Sequence, residues 1–152
     1  VALGGRDDMT MTYVAAARAK QGMISLQLDV GSRISLARSA MGRAYIAACP
    51  EAERSLIMER IEERATPEEW PIMKDAIAEA AEQIAKRGFY ANMGQWQTHV
   101  NSIAVPYRSP QSDTPLLVFN LGGPSYVLPK ERLENDLGPK LVQVVNTVAR
   151  VS

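Results

Sequence analysis

An α+β fold built on an antiparallel sheet is what this 152-residue sequence predicts. Segments of strand character gather at the start of the chain and again after residue 100, with helical periodicity between them and at the end. That order (strands, three helices, strands, helices) lacks the alternation that a parallel βαβ sheet requires. A chain of this length suits one domain and can bury a real core. Its 46% hydrophobic and 22% charged content is ordinary for a globular protein, which sets aside disordered and collagen-like classes.

Taken in order, VALGGRDDMTMTYVAAARA reads as a hairpin, with turn chemistry from Gly4 to Asp8 and a strand from Met11 to Ala17. A second strand is expected over Met23 to Leu28, where Ile24, Leu26 and Leu28 alternate with Ser25 and Gln27. Asp29-Val30-Gly31-Ser32 then turns the chain. ARSAMGRAYIAA, residues 37–48, is helical with Ser39 or Ser35 as its N-cap, and small residues crowd its start. Pro50 opens the next helix, PEAERSLIMERIEER.

Thr66 and Glu69 have capping-box spacing, but Pro71 cannot donate its bond within one continuous helix. A short turn at 66–70 and a separate helix from Pro71 to about Arg87 are therefore expected. Met73, Ile77, Ala80 and Ile84 form one stripe of that helix, and Gly88 ends it. After a loop, YANMGQWQTH, strands follow at 100–107 and 115–123 around the polar loop RSPQSDT, and SYVL is a candidate edge strand. Lys130 to Asp136 and Pro139 to the end are helical, punctuated by Gly138. No internal repeat or low-complexity tract occurs.

Seventeen basic and seventeen acidic residues cancel, which argues against a nucleic-acid surface on this chain. Residues 50–87 hold ten acids and six bases, against three acids and six bases in residues 1–49. The middle is a solvated, mildly acidic helical face. No apolar run approaches the ~18–20 residues that span a bilayer, and no charged-then-apolar leader opens the chain. A lone Cys49 excludes an internal disulfide framework and fits a reducing cytoplasm. With His99 the only histidine, a His/Cys zinc site cannot form unaided, and no cofactor is expected. The chain starts at Val1 and stops in an apolar periodic stretch, so both ends look cut from a longer protein.

Two polar side chains stand out in apolar strands. Asn120 shares a pleat face with Leu116, Val118 and Gly122, and Ser102 shares one with Val100 and Ala104. A buried amide left unpaired costs ~1–3 kcal/mol, so both need partners. Either they bond to each other in the core, or they form a polar recognition point inside an apolar pocket. Ser39-Ala40-Met41-Gly42 is open in the same way. Small residues there let a helix pack closely, and the first-turn amides also suit a carboxylate that Arg43 is near enough to share. Gly122-Gly123-Pro124 is a strand exit; neither GxxxxGK[ST] nor GxGxxG occurs. A nucleophile–base pair of Cys49 and His99 lacks a third, orienting group.

Three blocks together carry a resemblance: VGSRISLARSAMGRAYIAACP, IAKRGFYANMGQWQTHVNSIAVPY and PLLVFNLGGPSYVL with its helical tail. The chain resembles the C-terminal effector-binding domain of IclR-type bacterial transcription regulators over nearly its whole length. The family's Gly-rich turn, G-K-A segment, R-G-Y helix end and S-I-A-x-P strand match Val30-Gly31-Ser32, Gly42-Arg43-Ala44, Arg87-Gly88-Phe89 and Ser102-Ile103-Ala104-Val105-Pro106.

The resemblance implies a GAF-like (profilin-like) domain with a curved antiparallel sheet, flanking helices and a concave-side pocket. It implies a small organic or aromatic carboxylate as effector, self-association as dimer or tetramer, and no catalysis. It also implies DNA contact only through a winged helix-turn-helix domain outside this chain, in the cytoplasm and away from any membrane. An interaction module that only oligomerises is the alternative. By motif position the pocket would be lined by Met23, Leu26, Ala40, Met41, Asn92, Val100, Ser102, Asn120 and Gly122. Arg43 stands where the family commonly has Lys, Met41 where a small residue is usual, and Asn92 where an acid is frequent, so effector identity does not transfer.

Overall fold

The computed structural model describes residues 1–17, 30–111 and 114–151. Strands β1 (Ala2–Asp7), β2 (Thr10–Ala16) and β3 (Arg33–Ser35) come first, followed by helices α1 (Ala40–Ala48), α2 (Glu51–Arg64) and α3 (Glu69–Arg87). Strands β4 (Tyr90–Met93), β5 (Val100–Tyr107) and β6 (Leu117–Pro124) follow, then α4 (Lys130–Arg132), a π-turn over Leu133–Leu137 and α5 (Gly138–Val151). The strands form one curled sheet in the order β3-β2-β1-β6-β5-β4 with every pairing antiparallel. The expected α+β class holds.

Topology explains the layers. β3 and β4 are opposite edges of the sheet, so the three helices between them must cross it. α1 lies on the face that carries Met11, Tyr13, Tyr90, Ala104 and Val118, and Ile57, Ile61, Met73 and Ile77 of α2 and α3 close that core. α5 covers the other face, burying Leu141 and Val145 against Ile103, Val105 and Phe89. Alternating burial over Leu117–Leu121 of β6 is what a period-2 strand produces when one face is covered more deeply than the other.

Ser39, not Ser35, caps α1: its hydroxyl accepts from the Gly42 N–H at 2.9 Å and donates to the Ser35 carbonyl at 2.6 Å. Gly88 ends α3 with φ 85°, the left-handed stop its position predicts. The region from Met23 to Leu28, with the strand expected there, lies outside the described residues.

Five local expectations need correction. The start of YANMGQWQTH is not loop but strand β4, paired antiparallel with β5 from Tyr90 opposite Ala104 to Met93 opposite Asn101. Gly4 and Gly5 are inside β1, and the hairpin turns at Asp8-Met9, with Asp8 at φ 53°. Gly4 is a strand residue because the Met41 side chain fills the place of a Cβ, which would lie 3.0 Å from Met41 Cε and nearer still to its sulfur. α3 begins at Glu69, two residues before Pro71. Pro71 is then the third helical residue, where an N–H has no intrahelical acceptor anyway, and Thr66 Oγ1 accepts from the Glu69 N–H at 3.1 Å. SYVL is a turn rather than a strand, with the Val127 and Leu128 N–H groups both donating to the Pro124 carbonyl. Gly138 continues the helical run with φ −60° instead of breaking it. A Cβ on it would come within 2.5 Å of the Phe89 ring, so it is glycine for packing.

Candidate functional site

Strand register assembles the polar residues into rows. Asn92 is opposite Ser102, and Ser102 is opposite Gly122, giving one row across β4, β5 and β6. The adjacent row runs Tyr90–Ala104–Asn120–Ala2. Ser102 and Asn120 are therefore diagonal neighbours on the α1 face, each 7% exposed, whereas Gly122 is open to solvent. Val100, one pleat further along β5, shares the face. A Cβ placed on Gly122 would sit 3.2 Å from Ser102 Cβ and 3.7 Å from Asn120 Nδ2, so the glycine leaves a niche between two polar groups.

The N-terminal end of α1 is held beside this row. Asn92 Nδ2 donates to the Arg38 carbonyl at 2.9 Å, one residue before the cap, and Asn92 Oδ1 accepts from the Gln95 N–H at 3.0 Å. Ser39 serves the Gly42 N–H, which leaves the first-turn amides of Ala40 and Met41 outside the helix's own ladder. Those amides carry the positive end of the helix dipole. A niche with hydroxyl, amide and N–H groups at one edge of an apolar floor suits a small molecule with an anionic or hydrogen-bonding end.

The Asn120 amide is close enough to the Tyr13 hydroxyl to influence its ionisation, whereas no hydrogen bond joins Asn120 to Ser102 among the described residues. Burial pushes the Tyr13 phenol above its usual range, and the Asn120 amide partly offsets that. The Asn92 amide is spent on backbone groups on both sides, so it braces the wall. Ala40 and Met41 are both buried, and the Met41 thioether lies over Gly4 of β1. Met23 and Leu26 lie outside the described residues.

Arg43 reaches neither a carboxylate nor the surface. It is 4% exposed and donates from Nε to the Ala37 carbonyl at 2.8 Å, and from Nη1 to the Tyr90 hydroxyl at 2.9 Å and to Gln95 Oε1. Burial raises the Tyr90 phenol while the guanidinium lowers it. Cys49 is buried at the α1 C-cap, and burial raises its thiol above the usual range, away from a thiolate nucleophile. His99 is exposed in the loop before β5.

The family model "Bacterial transcriptional regulator IclR C-terminal" matches residues 1–150. The chain belongs to the IclR family of bacterial transcription regulators. Among curated proteins it is similar to the HTH-type transcriptional regulator TsaQ1/TsaQ2 of Comamonas testosteroni, 24% identical over 149 residues, which cover 97% of this chain and 53% of that protein. An IclR family regulator from Brucella abortus superposes with TM-score 0.91 at 38% identity, covering 99% of this chain and 55% of that one. The inducer-binding domain of a PobR double mutant from Acinetobacter, in complex with 3-hydroxybenzoic acid, superposes with TM-score 0.77 over 99% of this chain and 87% of that one. At 18% identity that last likeness is one of fold. The chain thus spans about half the length of the curated relative and of the Brucella regulator.

Tyr13, Gln95 and Gly4 escaped the reading of this IclR domain from sequence. Tyr13 read only as a strand former. Its place on the Met11 face, two residues along a period-2 strand, is the signal that points it inward. Gln95 and Gly4 acquire their roles from partners 52 and 37 residues away, for which no local pattern exists.

Proposed function

We propose that this chain is the effector-sensing part of a transcription regulator and binds a compact organic or aromatic carboxylate. The observation that carries the proposal is the first turn of α1 held against the row Asn92–Ser102–Gly122, with Asn120 diagonal to it. The carboxylate accepts from the Ala40 and Met41 amides, the Ser102 hydroxyl and Asn120 amide read its polar substituents, and Val100 packs on its body. Met23 and Leu26 belong to the proposed lining by family position. The 3-hydroxybenzoic acid bound by the PobR domain has the same chemistry, an aromatic carboxylate with one further hydroxyl.

Binding would favour one arrangement of the assembled regulator and so change its DNA affinity, a population shift that requires different effector affinity in the two states. DNA is contacted by a winged helix-turn-helix domain outside this chain, which acts as one sensor domain, without catalysis, in the cytoplasm. No helix among the described residues is long and apolar enough to cross a membrane. Self-association as a dimer or tetramer belongs to the same proposal, with the open Val144 side chain of α5, 51% exposed, as a candidate contact.

A thermal-shift screen of small carboxylates tests the reading. At least one should raise the melting temperature of the wild type, and Ser102→Val and Asn120→Leu should each reduce that rise. Stabilisation unchanged in both variants would refute the site. Oligomers with no stabilising carboxylate would favour the oligomerisation-only alternative.

A further inference from the structure

A second cleft, separate from the sheet face, is a half-open depression of about 220 Å³ between the segment Ser35–Arg38, the end of α2 and the start of α3. That is below the ~300–1,000 Å³ of a drug-sized site and suits a single ring or a short branched chain. Its walls are apolar, with Met9, Ile61 and Met73 foremost. Its rim carries Arg38, Arg64 and Glu69.

Charge decides what such a cleft takes. Arg38 Nη2 pairs with Glu69 Oε2 at 2.8 Å, so those two rim charges cancel. Arg64 forms no ion pair among the described residues, which leaves the rim one positive charge in excess. One pair of guanidinium N–H groups there is free to grip a carboxylate in a fork. The paired thioethers of Met9 and Met73 offer sulfur–aromatic contacts to a ring. We infer that this cleft is a second binding site, for a compact monoanion with an apolar body such as an aromatic carboxylate, held by Arg64 at the rim and by Met9, Ile61 and Met73 below.

The site does not rest on the sheet pocket, but the two share a wall. The Arg38 side chain borders the cleft while its carbonyl holds Asn92, and the Ala37 carbonyl holds Arg43. The cleft thus borders Ala37 and Arg38, whose carbonyls hold Arg43 and Asn92.

Benzoate is the probe and the methionine methyl groups are the reporters. In protein labelled with ¹³C at the methionine methyls, benzoate should shift the Met9 and Met73 signals saturably. The shifts should persist in a Ser102→Val/Asn120→Leu double variant, whose sheet pocket is disabled. Arg64→Glu, an exposed substitution that leaves the core untouched, should weaken the effect at least tenfold, and neutral benzamide should bind at least tenfold more weakly than benzoate. Met9 and Met73 signals that do not move, or that move equally in Arg64→Glu, would overturn the second site. Shifts lost in the double variant would do so too, by assigning all binding to the sheet pocket.

Discussion

Gly42→Ala should destabilise this domain even though alanine is the better helix former. Gly42 is in the first turn of α1, where exchanging Gly for Ala ordinarily gains up to about 1 kcal/mol. Here an added Cβ would stand 2.5 Å from both the carbonyl carbon and Cα of Leu36, and closer still to the carbonyl oxygen. Carbon atoms in contact sit about 3.5–4.0 Å apart, so the overlap is roughly 1 Å and falls on backbone, which has no rotamer to change. Relief requires moving α1 away from the Ser35–Ser39 segment. That segment is pinned by Ser39 Oγ to the Ser35 carbonyl at 2.6 Å, Arg43 Nε to the Ala37 carbonyl at 2.8 Å and Asn92 to the Arg38 carbonyl at 2.9 Å. Overpacking of this kind costs about 3 kcal/mol, leaving a net loss of about 2 kcal/mol after the propensity gain. For a chain of this size that lowers Tm by roughly 4–8 °C, measurable by calorimetry or circular dichroism. A variant as stable as the wild type, or more so, would refute the claim that α1 is glycine here because backbone passes against it.

Two further outcomes follow from the same geometry. Arg43→Met removes three hydrogen bonds from the Ala37 carbonyl, the Tyr90 hydroxyl and Gln95, and orphaned buried partners cost about 1–3 kcal/mol. Urea denaturation should show that loss, and Trp96, next to Gln95, should shift its fluorescence to the red. Tyr45 donates to Glu53 Oε2 at 2.5 Å, and burial first, then Glu53, pushes its phenol up to about 12. The unfolded chain then ionises this group before the folded one does, so stability is full below about pH 10 and falls as pH rises toward 12. Tyr45→Phe should flatten that alkaline decline in a pH series of denaturation curves, and an unchanged slope would contradict it.

What the sequence made legible was local or periodic. The strand pair at 100–107 and 117–124 follows from alternation and a polar loop, and it brings Ser102 and Asn120 to one face as their spacing requires. Ser39 as cap and Gly88 as stop are read from residue type and place alone. What failed depended on partners distant in the chain. Gly4 looks like turn chemistry until Met41 is seen above it, and Gly138 looks like a breaker until Phe89 is. Arg43 in a small-residue helix start suggested an anion, yet its donors go to a carbonyl, a phenol and an amide. The blocks that resemble IclR regulators pointed to Asn92, but its part in bracing Arg38 against Gln95 is a matter of packing that no motif encodes.

The central claim is that a carboxylate binds over the row Asn92–Ser102–Gly122 at the start of α1. Gly122→Ala tests it most directly, because the added methyl, 3.2 Å from Ser102 Cβ and 3.7 Å from Asn120 Nδ2, takes up the space between them with only a slight adjustment of Ser102. Calorimetric titration of the best carboxylate from the thermal-shift screen should give a tight event with the wild type, distinct from any weaker binding at the cleft beside Arg64. The variant should melt within a few degrees of wild type and bind that carboxylate at least tenfold more weakly, a loss of about 1.4 kcal/mol or more. Equal affinity in the two proteins would contradict the account.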